Sequence, residues 1–562
     1  MSEEAKYYTK QPGILTGALV GGMVTAPLIA LMYLADILAG LPFIPFDVFD
    51  WLARNLPGDV IRFGINLMID YVITPLELGE TSSVAKTLEH IQGIGIVFGI
   101  GVITGAVMYK LFTLFQIRQV YVVGGGIGLL IGVMMAAISQ SVNFTATADP
   151  ALQVLWILFV FIVLGGSLSW IYSDLTTVHP TPAKTEEDQR LQLINRRQFL
   201  VRIGGATATI TVMGAGLGTI LREQGEQDAP VQRSTLTLAD LPADLPNMSA
   251  DVTPAPGTRP EYTPLDDHYR IDISSRPPVI DGESYRLRVF GLVEQELEIS
   301  LRELQENYEP VNRYVTMSCI SNRIGGDLIS TTLWTGVPLH LLLDDWNLKP
   351  EATYLKITSA DSFDEYVSID LIRQDPRIML TYAWDGVPLK QKHGFPLRIH
   401  IPDHYGMKQP KWITDIEAVD YWDEGYWVRR RWSASARVKT TSVIDTVAVD
   451  HAFERDGQVY IPIGGIAYSG AKGISKVEIR INGGDWQEVM LREPLSDTTW
   501  VIWRYDMPFE PGDMSFEVRT YEGDGTPQIE APAGTFPDGA TGIHSVRTRI
   551  PQTITPESTD TP

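Results

Sequence analysis

The stretch Val315–Gly326, with the sequence VTMSCISNRIGG, decides the local fold. Its first residues form a hydrophobic run typical of a buried strand, and its glycine pair opens a turn, so a strand ending in a loop is predicted. Cys319, the one cysteine among 562 residues, stands at that junction. A single cysteine excludes intrachain disulfides, four-cysteine iron–sulfur clusters and haem attached through a cysteine pair. A lone cysteine is most often a small buried apolar side chain, but its thiolate can also provide one bond to a metal.

Outward from Cys319, short strand-like and helix-like runs predict an α+β domain over residues 265–437. Strand patterns separated by turns such as Asn482-Gly483-Gly484 predict an Ig-like β-sandwich over residues 438–550. A disordered tail is expected at residues 551–562. Before the α+β domain, the proline-rich residues 222–264 predict an extended linker.

The first 221 residues predict an α-helical transmembrane bundle. Crossing a bilayer takes about 20 apolar residues. Five stretches lack charge for long enough: Pro12–Ala35, Ile91–Tyr109, Gln119–Ala148, Pro150–Ser173 and Ile203–Leu221. Glycines at four-residue spacing, Gly17 with Gly21 and Gly95 with Gly99, are typical of close helix packing in lipid. Between the first two spans, residues 59–72 form an amphipathic pattern, which predicts a helix lying in the membrane interface or against the protein's own external domain.

Lysine and arginine set the expected orientation. The loops Asp174–Arg202 and Lys110–Arg118 are basic, whereas Ser141–Pro150 contains no lysine or arginine. Both basic loops should therefore be cytoplasmic, which places the chain after Leu221 on the outer face of a bacterial cytoplasmic membrane. The sequence NRRQFLV at Asn195–Val201 resembles a twin-arginine export signal, whose route carries folded domains. The alternative is that the arginine pair is ordinary flanking charge.

Several motifs occur together in the order found in the sulfite oxidase family of molybdopterin enzymes. They are Tyr269–Asp272, Tyr285–Gly291, Cys319–Asn322, Trp334–Leu339, Asp385–Leu389, His393–Arg398 and Lys411-Trp412. The chain resembles this family from about Tyr269 to Arg437, and its pattern at Tyr426–Trp432 is similar to that of a membrane-attached bacterial subgroup. The resemblance continues through Gly465–Gly470 into the family's dimerisation domain, which makes a homodimer an expectation.

The resemblance implies an oxidoreductase with one Mo-molybdopterin per chain, in which Cys319 binds molybdenum. The residues implied to line the pterin and its phosphate are Tyr269, Asn322, Arg323, Asp361, His393, Arg398 and Lys411. The implied reaction is a two-electron oxygen-atom transfer to or from a small oxyanion or an S- or N-oxide. A membrane-bound binding module that has lost the cofactor is the alternative class.

Three positions depart from the family pattern around the substrate. Ile324 stands where an arginine is expected, and only Arg270 is available in the Tyr269–Asp272 segment. Trp432 replaces the tyrosine expected near the metal. Each lost guanidinium removes a charge-assisted bond worth roughly 1.5–3 kcal/mol. The resemblance makes Arg270 and Trp432 the predicted catalytic neighbours of Cys319. The lost guanidinium groups make sulfite a less favoured substrate than in the family.

The net charge and the positions of the histidines limit which molecules the chain is expected to bind. The chain has 45 Lys and Arg against 68 Asp and Glu, a net charge of −23, which excludes the basic footprint that nucleic acid requires. Of the nine histidines, none lies inside a predicted span, and His90 precedes the second one. A membrane b-type haem needs two facing axial histidines. Electrons are therefore expected to pass to a separate carrier, a cytochrome or a quinone, while lipid surrounds the spans.

The export signal predicts the behaviour of the double variant Arg196→Lys, Arg197→Lys. Both changes keep the positive charge and so preserve the topology preference of the fifth span. We expect the soluble part of this variant to remain inside the cell, as measured by its protection from external protease in cells with a permeabilised outer envelope. A variant that still places a molybdenum-loaded domain outside would show that the pair is only flanking charge.

Overall fold

The computed structural model describes residues 12–68, 72, 80–143, 145–176, 186–228 and 244–556, without the side chains of residues 66, 186–197 and 220–228. The side chains of the predicted export signal at Arg196 and Arg197 therefore lie outside the described part. The chain divides into two compact units. The first consists of Met1–Leu56, Val84–Gln232 and Ile273–Pro277, and the second of Pro57–Ser83, Arg233–Asp272 and Pro278–Pro562.

Long helices dominate the N-terminal part of the chain. They are α1 (Ile14–Ala39), α2 (Ile44–Asn55), α3 (Gly58–Met68), α4 (Thr81–Phe115), α5 (Val120–Val142), α6 (Pro150–Thr176) and α7 (Glu186–Asp228). Among the described residues, five helices are long and apolar enough to cross a membrane: α1, α4, α5, α6 and the part Gln198–Thr219 of α7. Each of these five overlaps one of the five predicted stretches. Helix α2 was not predicted, because its 12 residues are too few for a span and include buried aspartates.

Close helix packing uses one of the two predicted glycine pairs. A Cβ atom added to Gly17 or Gly21 of α1 would collide with backbone carbonyl groups of Gly105 or Gly101 on α4. The prediction for Gly17 and Gly21 is thus confirmed. The second prediction was wrong, because Gly95 and Gly99 face open space and the glycines of α4 that meet α1 lie six residues further along the helix.

A polar cluster within the first unit holds the segment Ile273–Pro277. Both the backbone N–H and the hydroxyl of Ser275 donate to Asp50 Oδ1 on α2. Arg54 donates to the Ser274 hydroxyl at 3.1 Å, and His90 Nε2 lies 3.0 Å from the Ser275 carbonyl oxygen. Burial raises the pKa of Asp50, while Ser275 opposes that shift. The segment therefore satisfies polar groups that the apolar helices leave buried.

The second unit is built from four sheets and short helices. Its strands up to residue 419 are β1 (Arg286–Gly291), β2 (Leu297–Ser300), β3 (Val311–Ser318), β4 (Ile329–Pro338), β5 (Tyr354–Ser359), β6 (Asp364–Ser368), β7 (Met379–Trp384), β8 (Val387–Pro388), β9 (Arg398–His400) and β10 (Ile413–Val419). One sheet has the order β2-β1-β10-β5-β6, with β1 and β10 parallel. The other has the order β3-β4-β7-β8, with β9 paired to β7. Helices α8 (Leu301–Glu306), α9 (Leu339–Asp345) and α10 (Ile369–Gln374) complete the predicted α+β region.

The C-terminal strands form two antiparallel sheets. They are β11 (Thr441–Val447), β12 (Phe453–Arg455), β13 (Gln458–Tyr468), β14 (Ile474–Ile481), β15 (Trp486–Glu488), β16 (Met490–Leu491), β17 (Val501–Pro508), β18 (Gly512–Glu522) and β19 (His544–Ile550). Side chains of both sheets share one hydrophobic core that contains Ile463, Trp503 and Phe516. In the turn between β14 and β15, Asn482 and Gly483 have φ angles of 51° and 71°, and the Gly484 N–H donates to Ile481 O at 2.9 Å, as in a turn whose two central residues are left-handed. The Ig-like class of these sheets stays a prediction.

Residues 244–264, predicted as part of an extended linker, make specific contacts within the second unit. Arg492 donates to the carbonyl oxygen of Asn247 at 3.1 Å and pairs with Glu261 at 2.9 Å. Leu245 and Tyr262 pack on a small apolar cluster of the second unit. The segment is therefore ordered by side-chain contacts that its proline-rich composition does not reveal. The predicted tail also differs, since Ile554 packs against the core of the C-terminal sheets, while residues 557–562 lie outside the description.

Three buried histidines lie in the α+β region. His268, His393 and His400 are each at most 5% exposed. Burial lowers the pKa of His268 to about 3 and that of His400 to about 3, and it holds the pKa of His393 well below its usual range. The folded chain therefore keeps these imidazoles neutral at pH values where the unfolded chain protonates them.

These shifts predict an acid-dependent loss of stability. Below an unfolded-state pKa near 6.5, each neutral imidazole costs about 1.4 kcal/mol per pH unit, so stability is complete above that value and falls as the pH decreases. We expect His268→Phe to make the loss of unfolding free energy between pH 8 and pH 5 smaller by about 2 kcal/mol. Denaturant titration of the cofactor-free protein at both pH values measures this. The difference in unfolding free energy between the two proteins at pH 8 isolates the packing effect of phenylalanine. If the variant lost as much unfolding free energy between pH 8 and pH 5 as the unaltered protein, His268 would be protonated in the folded chain.

Candidate cofactor site

Cys319 lies immediately after β3, at the start of the loop to β4. Its backbone N–H donates to Leu328 O at 2.9 Å, and the Leu328 N–H donates to Asn322 Oδ1 at 3.0 Å. The C-terminal sheets support β3 as well, because the Tyr468 hydroxyl donates to Thr316 O at 2.7 Å. The predicted strand-to-loop position of Cys319 is thus confirmed, and hydrogen bonds at both ends of the loop fix the position of its thiol.

The Cys319 thiol is buried next to hydroxyl groups. Its Sγ atom lies 3.0 Å from Ser321 Oγ, and the residue is 7% exposed. Burial raises the pKa of the thiol, and the Ser321 contact opposes that shift. Burial and then the neighbouring Cys319 raise the pKa of the Tyr269 phenol, while Arg398 opposes the rise. Cys319, Tyr269 and Arg398 therefore share one electrostatic environment.

Arg398 carries a buried positive charge. It is 5% exposed, and its guanidinium group lies 4.8 Å from the centre of the Trp334 ring. Its Nη1 donates to His393 O at 3.0 Å, and its Nη2 reaches only the sulfur of Met317. Within the described part of the chain Arg398 makes no ion pair, and burial lowers its pKa to about 10. A buried guanidinium in such surroundings attracts an anion.

Two imidazoles beside Arg398 have an unused nitrogen. The rings of His268 and His393 are 5.3 Å apart, and the His393 ring lies 4.7 Å from that of Trp384. Among the described residues, the buried Nε2 atoms of both histidines find no hydrogen-bond partner. Buried polar atoms are normally satisfied, so these two indicate a bound group with donors or acceptors of its own.

Lys411 and Arg270 meet on one carboxylate. Lys411 Nζ lies 3.1 Å from Asp272 Oδ2, and Arg270 Nε donates to the same oxygen at 2.7 Å. Burial lowers the pKa of Lys411, and Asp272 opposes that effect. The charge of Arg270, predicted as a catalytic group, is therefore largely balanced by a buried aspartate.

The remaining predicted residues occupy different surroundings. Asp361 is buried and accepts a hydrogen bond from Phe363 N at 3.1 Å, whereas Arg323 is exposed. Asn322 braces the loop through its side-chain oxygen. Trp432 is half-buried and packs against an apolar cluster that includes Ile320, the residue after Cys319. Tyr269 and Trp432 therefore lie near Cys319 or the residue after it, and Arg270 lies near Lys411. Arg323 lies at the solvent-exposed edge.

Several buried polar residues of this region were missed from the sequence. His268 precedes the Tyr269–Asp272 motif directly, and its position beside four other aromatic or imidazole rings depends on tertiary packing. Tyr405 is buried, and its pKa is raised to about 12, mainly by burial and in part by Cys319. The buried pair of Lys408 and Glu365 lies 2.7 Å apart. In the sequence, the only signal for His268, Tyr405, Lys408 and Glu365 was that each stands close to a residue predicted to line the site.

Comparison with known proteins identifies this region. Residues 274–427 match the family model described as an oxidoreductase molybdopterin binding domain. Mitochondrial sulfite oxidase of Homo sapiens is 27% identical over 288 residues, covering 43% of this chain and 52% of that protein. The provisionally named protein-methionine-sulfoxide reductase subunit YedZ1 of Azospira oryzae is 32% identical over 151 residues, covering 26% of this chain and 54% of that protein. Nitrate reductase of Hordeum vulgare is 24% identical over 348 residues, covering 51% of this chain and 38% of that protein. The chain spans about half the length of the first two relatives.

The residues present fit the cofactor of this family. An unpaired buried guanidinium at Arg398 suits a phosphate, and the open Nε2 atoms of His268 and His393 suit the hydrogen-bonding edge of a pterin. The thiolate of Cys319 is a soft ligand of the kind that suits molybdenum. Cys319, His393 and Arg398 all fall within the matched region. The chain therefore carries an oxidoreductase molybdopterin binding domain over residues 274–427 and is similar to the sulfite oxidases.

Proposed function

We propose that this chain is a membrane-anchored molybdopterin oxidoreductase that transfers one oxygen atom to or from a small substrate in a two-electron reaction. The five long apolar helices hold it in a bacterial cytoplasmic membrane, with the cofactor domain on the outer face. Electrons pass to or from a separate carrier, a cytochrome or a quinone. Relatives named sulfite oxidase, nitrate reductase and methionine-sulfoxide reductase subunit support a reaction of this class.

The buried Arg398, which forms no ion pair with the described residues, is the observation that carries this proposal. Removing a guanidinium from water without a counter-ion costs several kcal/mol, and a chain that binds nothing here would gain by an apolar replacement. A bound phosphate group supplies the missing charge through charge-assisted hydrogen bonds. The same observation argues against a binding module that has lost the cofactor.

The side chains divide the work of holding the cofactor. Arg398 would bind the phosphate and His393 and His268 the pterin edge, while Lys411 adds positive charge that Asp272 partly balances. Burial raises the pKa of Cys319, so its free thiol is protonated near neutral pH and would give up that proton as a ligand of molybdenum. When bound, Mo-molybdopterin supplies the two-electron redox chemistry of oxygen-atom transfer.

The substrate side favours a neutral S- or N-oxide over an oxyanion such as sulfite. Arg270 is paired with Asp272 at 2.7 Å, so little of its charge is available to a substrate. Ile324 and Trp432 add apolar surface in place of hydrogen-bonding groups. An anion would therefore lose its hydration without gaining a matching charge, whereas a sulfoxide loses less. Reduction of an S- or N-oxide is accordingly the preferred direction.

Cys319→Ser tests the central role of the thiol. Serine has nearly the same shape, so the fold should persist at a cost of roughly 1–2 kcal/mol. A hydroxyl is a harder and far less acidic ligand, so turnover should be abolished while Arg398 and His393 keep the pterin bound. The measurements are sulfoxide reduction with an artificial electron donor, sulfite oxidation with an artificial acceptor, and pterin content.

Ser318→Ala is the matched control, because it removes a buried hydroxyl from the preceding residue and leaves the metal ligand intact. We expect this control to retain turnover, and we expect the unaltered protein to reduce a sulfoxide faster than it oxidises sulfite. Full turnover in Cys319→Ser would make Cys319 a core residue. Efficient sulfite oxidation would contradict the role assigned to Ile324 and Trp432.

A further inference from the structure

Helix α3 has three distinct faces. Its half-buried or buried apolar residues are Ile61, Ile65 and Met68. Asp59 and Arg62 form a charged face. A third face is apolar and exposed: Val60 is 50% exposed, Phe63 69% and Leu67 47%. At 3.6 residues per turn these three side chains lie in one stripe along the helix.

The charged face of α3 contacts the cofactor-carrying second unit, to which the helix belongs. Asp59 forms ion pairs with Arg431 and with Arg62. The Arg62 guanidinium lies 3.7 Å from the centre of the Phe536 ring. At the start of the helix, a Cβ atom added to Gly58 would lie 3.1 Å from Arg430 O. The helix is therefore held against the segment Val428–Trp432.

These contacts lead to Trp432. Arg431 precedes Trp432 in the chain, and the Phe536 ring packs edge-on against the Trp432 ring at 5.3 Å. The Ser433 N–H donates to Pro537 O at 3.1 Å. This hydrogen bond joins the segment after Trp432 to the segment after Phe536. A displacement of α3 would therefore act on Trp432 through both Arg431 and Phe536.

The position of α3 in the chain indicates what covers its exposed stripe. The helix lies in the connection between α1 and α4, two helices that are long and apolar enough to cross a membrane. A short helix with one charged face and one face of valine, phenylalanine and leucine is typical of a segment that lies in the bilayer interface. An apolar stripe of this kind is otherwise disfavoured on a water-exposed surface.

We propose that Val60, Phe63 and Leu67 insert into the lipid interface and that α3 braces the Trp432 side of the cofactor site against the membrane. This inference rests on the proposed membrane anchoring. Lipid covers the stripe of Val60, Phe63 and Leu67, and the charged face of α3 contacts the segment Val428–Trp432.

Fluorescence quenching in lipid nanodiscs tests the lipid contact in the full-length protein. The variant Phe63→Cys receives an environment-sensitive label, and Asp485→Cys, on an exposed turn of the second unit, is the matched control. Cys319 is buried and is occupied by metal in the loaded enzyme. We expect brominated lipid to quench most of the emission at position 63 and to leave position 485 unchanged. A label at position 63 that is unquenched, whether shielded by protein or exposed to water, would overturn the proposal.

Substrate kinetics test the brace. We expect Phe63→Asp to raise the KM for substrate while kcat and molybdenum content stay unchanged, and Phe63→Leu to keep the original KM. An unchanged KM in Phe63→Asp would refute the brace. Molybdenum content and retention in the membrane fraction report on the proposed function instead, because the long helices hold the chain in the bilayer without α3.

Discussion

The buried guanidinium of Arg398 is the constraint around which the cofactor region is organised. It lies over Trp334, bonds the carbonyl oxygen of His393 and has no carboxylate partner within the described part of the chain. Such a group is tolerated when another part of the assembly supplies negative charge, since an unpaired buried cation costs several kcal/mol. The fold therefore stores an unfavourable interaction that a phosphate-bearing cofactor relieves, and binding of the cofactor should stabilise the folded chain.

Neighbouring elements maintain this arrangement. Gly394, with φ of 111°, lets the chain turn where a Cβ atom would lie 3.2 Å from the side chains of Arg398 and Lys411. A larger residue would push these two cations apart. On the opposite side, hydrogen bonds from Leu328 and Tyr468 fix the strand and loop that carry Cys319. Cys319 and Arg398, the proposed metal and phosphate ligands, thus lie on separate elements that hydrogen bonds and close packing hold in place, as precise placement of a cofactor requires.

The sequence predicted those features that depend on local patterns. Five charge-free stretches became five long helices because a bilayer dictates both length and composition, and Asn482-Gly483 became a hairpin turn because few residues accept positive φ angles. Tertiary contacts were not predictable in this way. The pairing of Lys411 with Asp272 and the order of residues 244–264 depend on partners that the fold brings together. His268 was missed for the same reason, since its unused nitrogen is apparent only beside His393.

Metal and pterin analysis of the purified full-length protein tests the central claim most directly. The protein is prepared from cells that make the cofactor in excess, and its folding is verified by tryptophan fluorescence. The account predicts about one molybdenum and one pterin per chain, because one Cys319 and one Arg398 provide one site. Folded protein that contains neither molybdenum nor pterin under these conditions would contradict it.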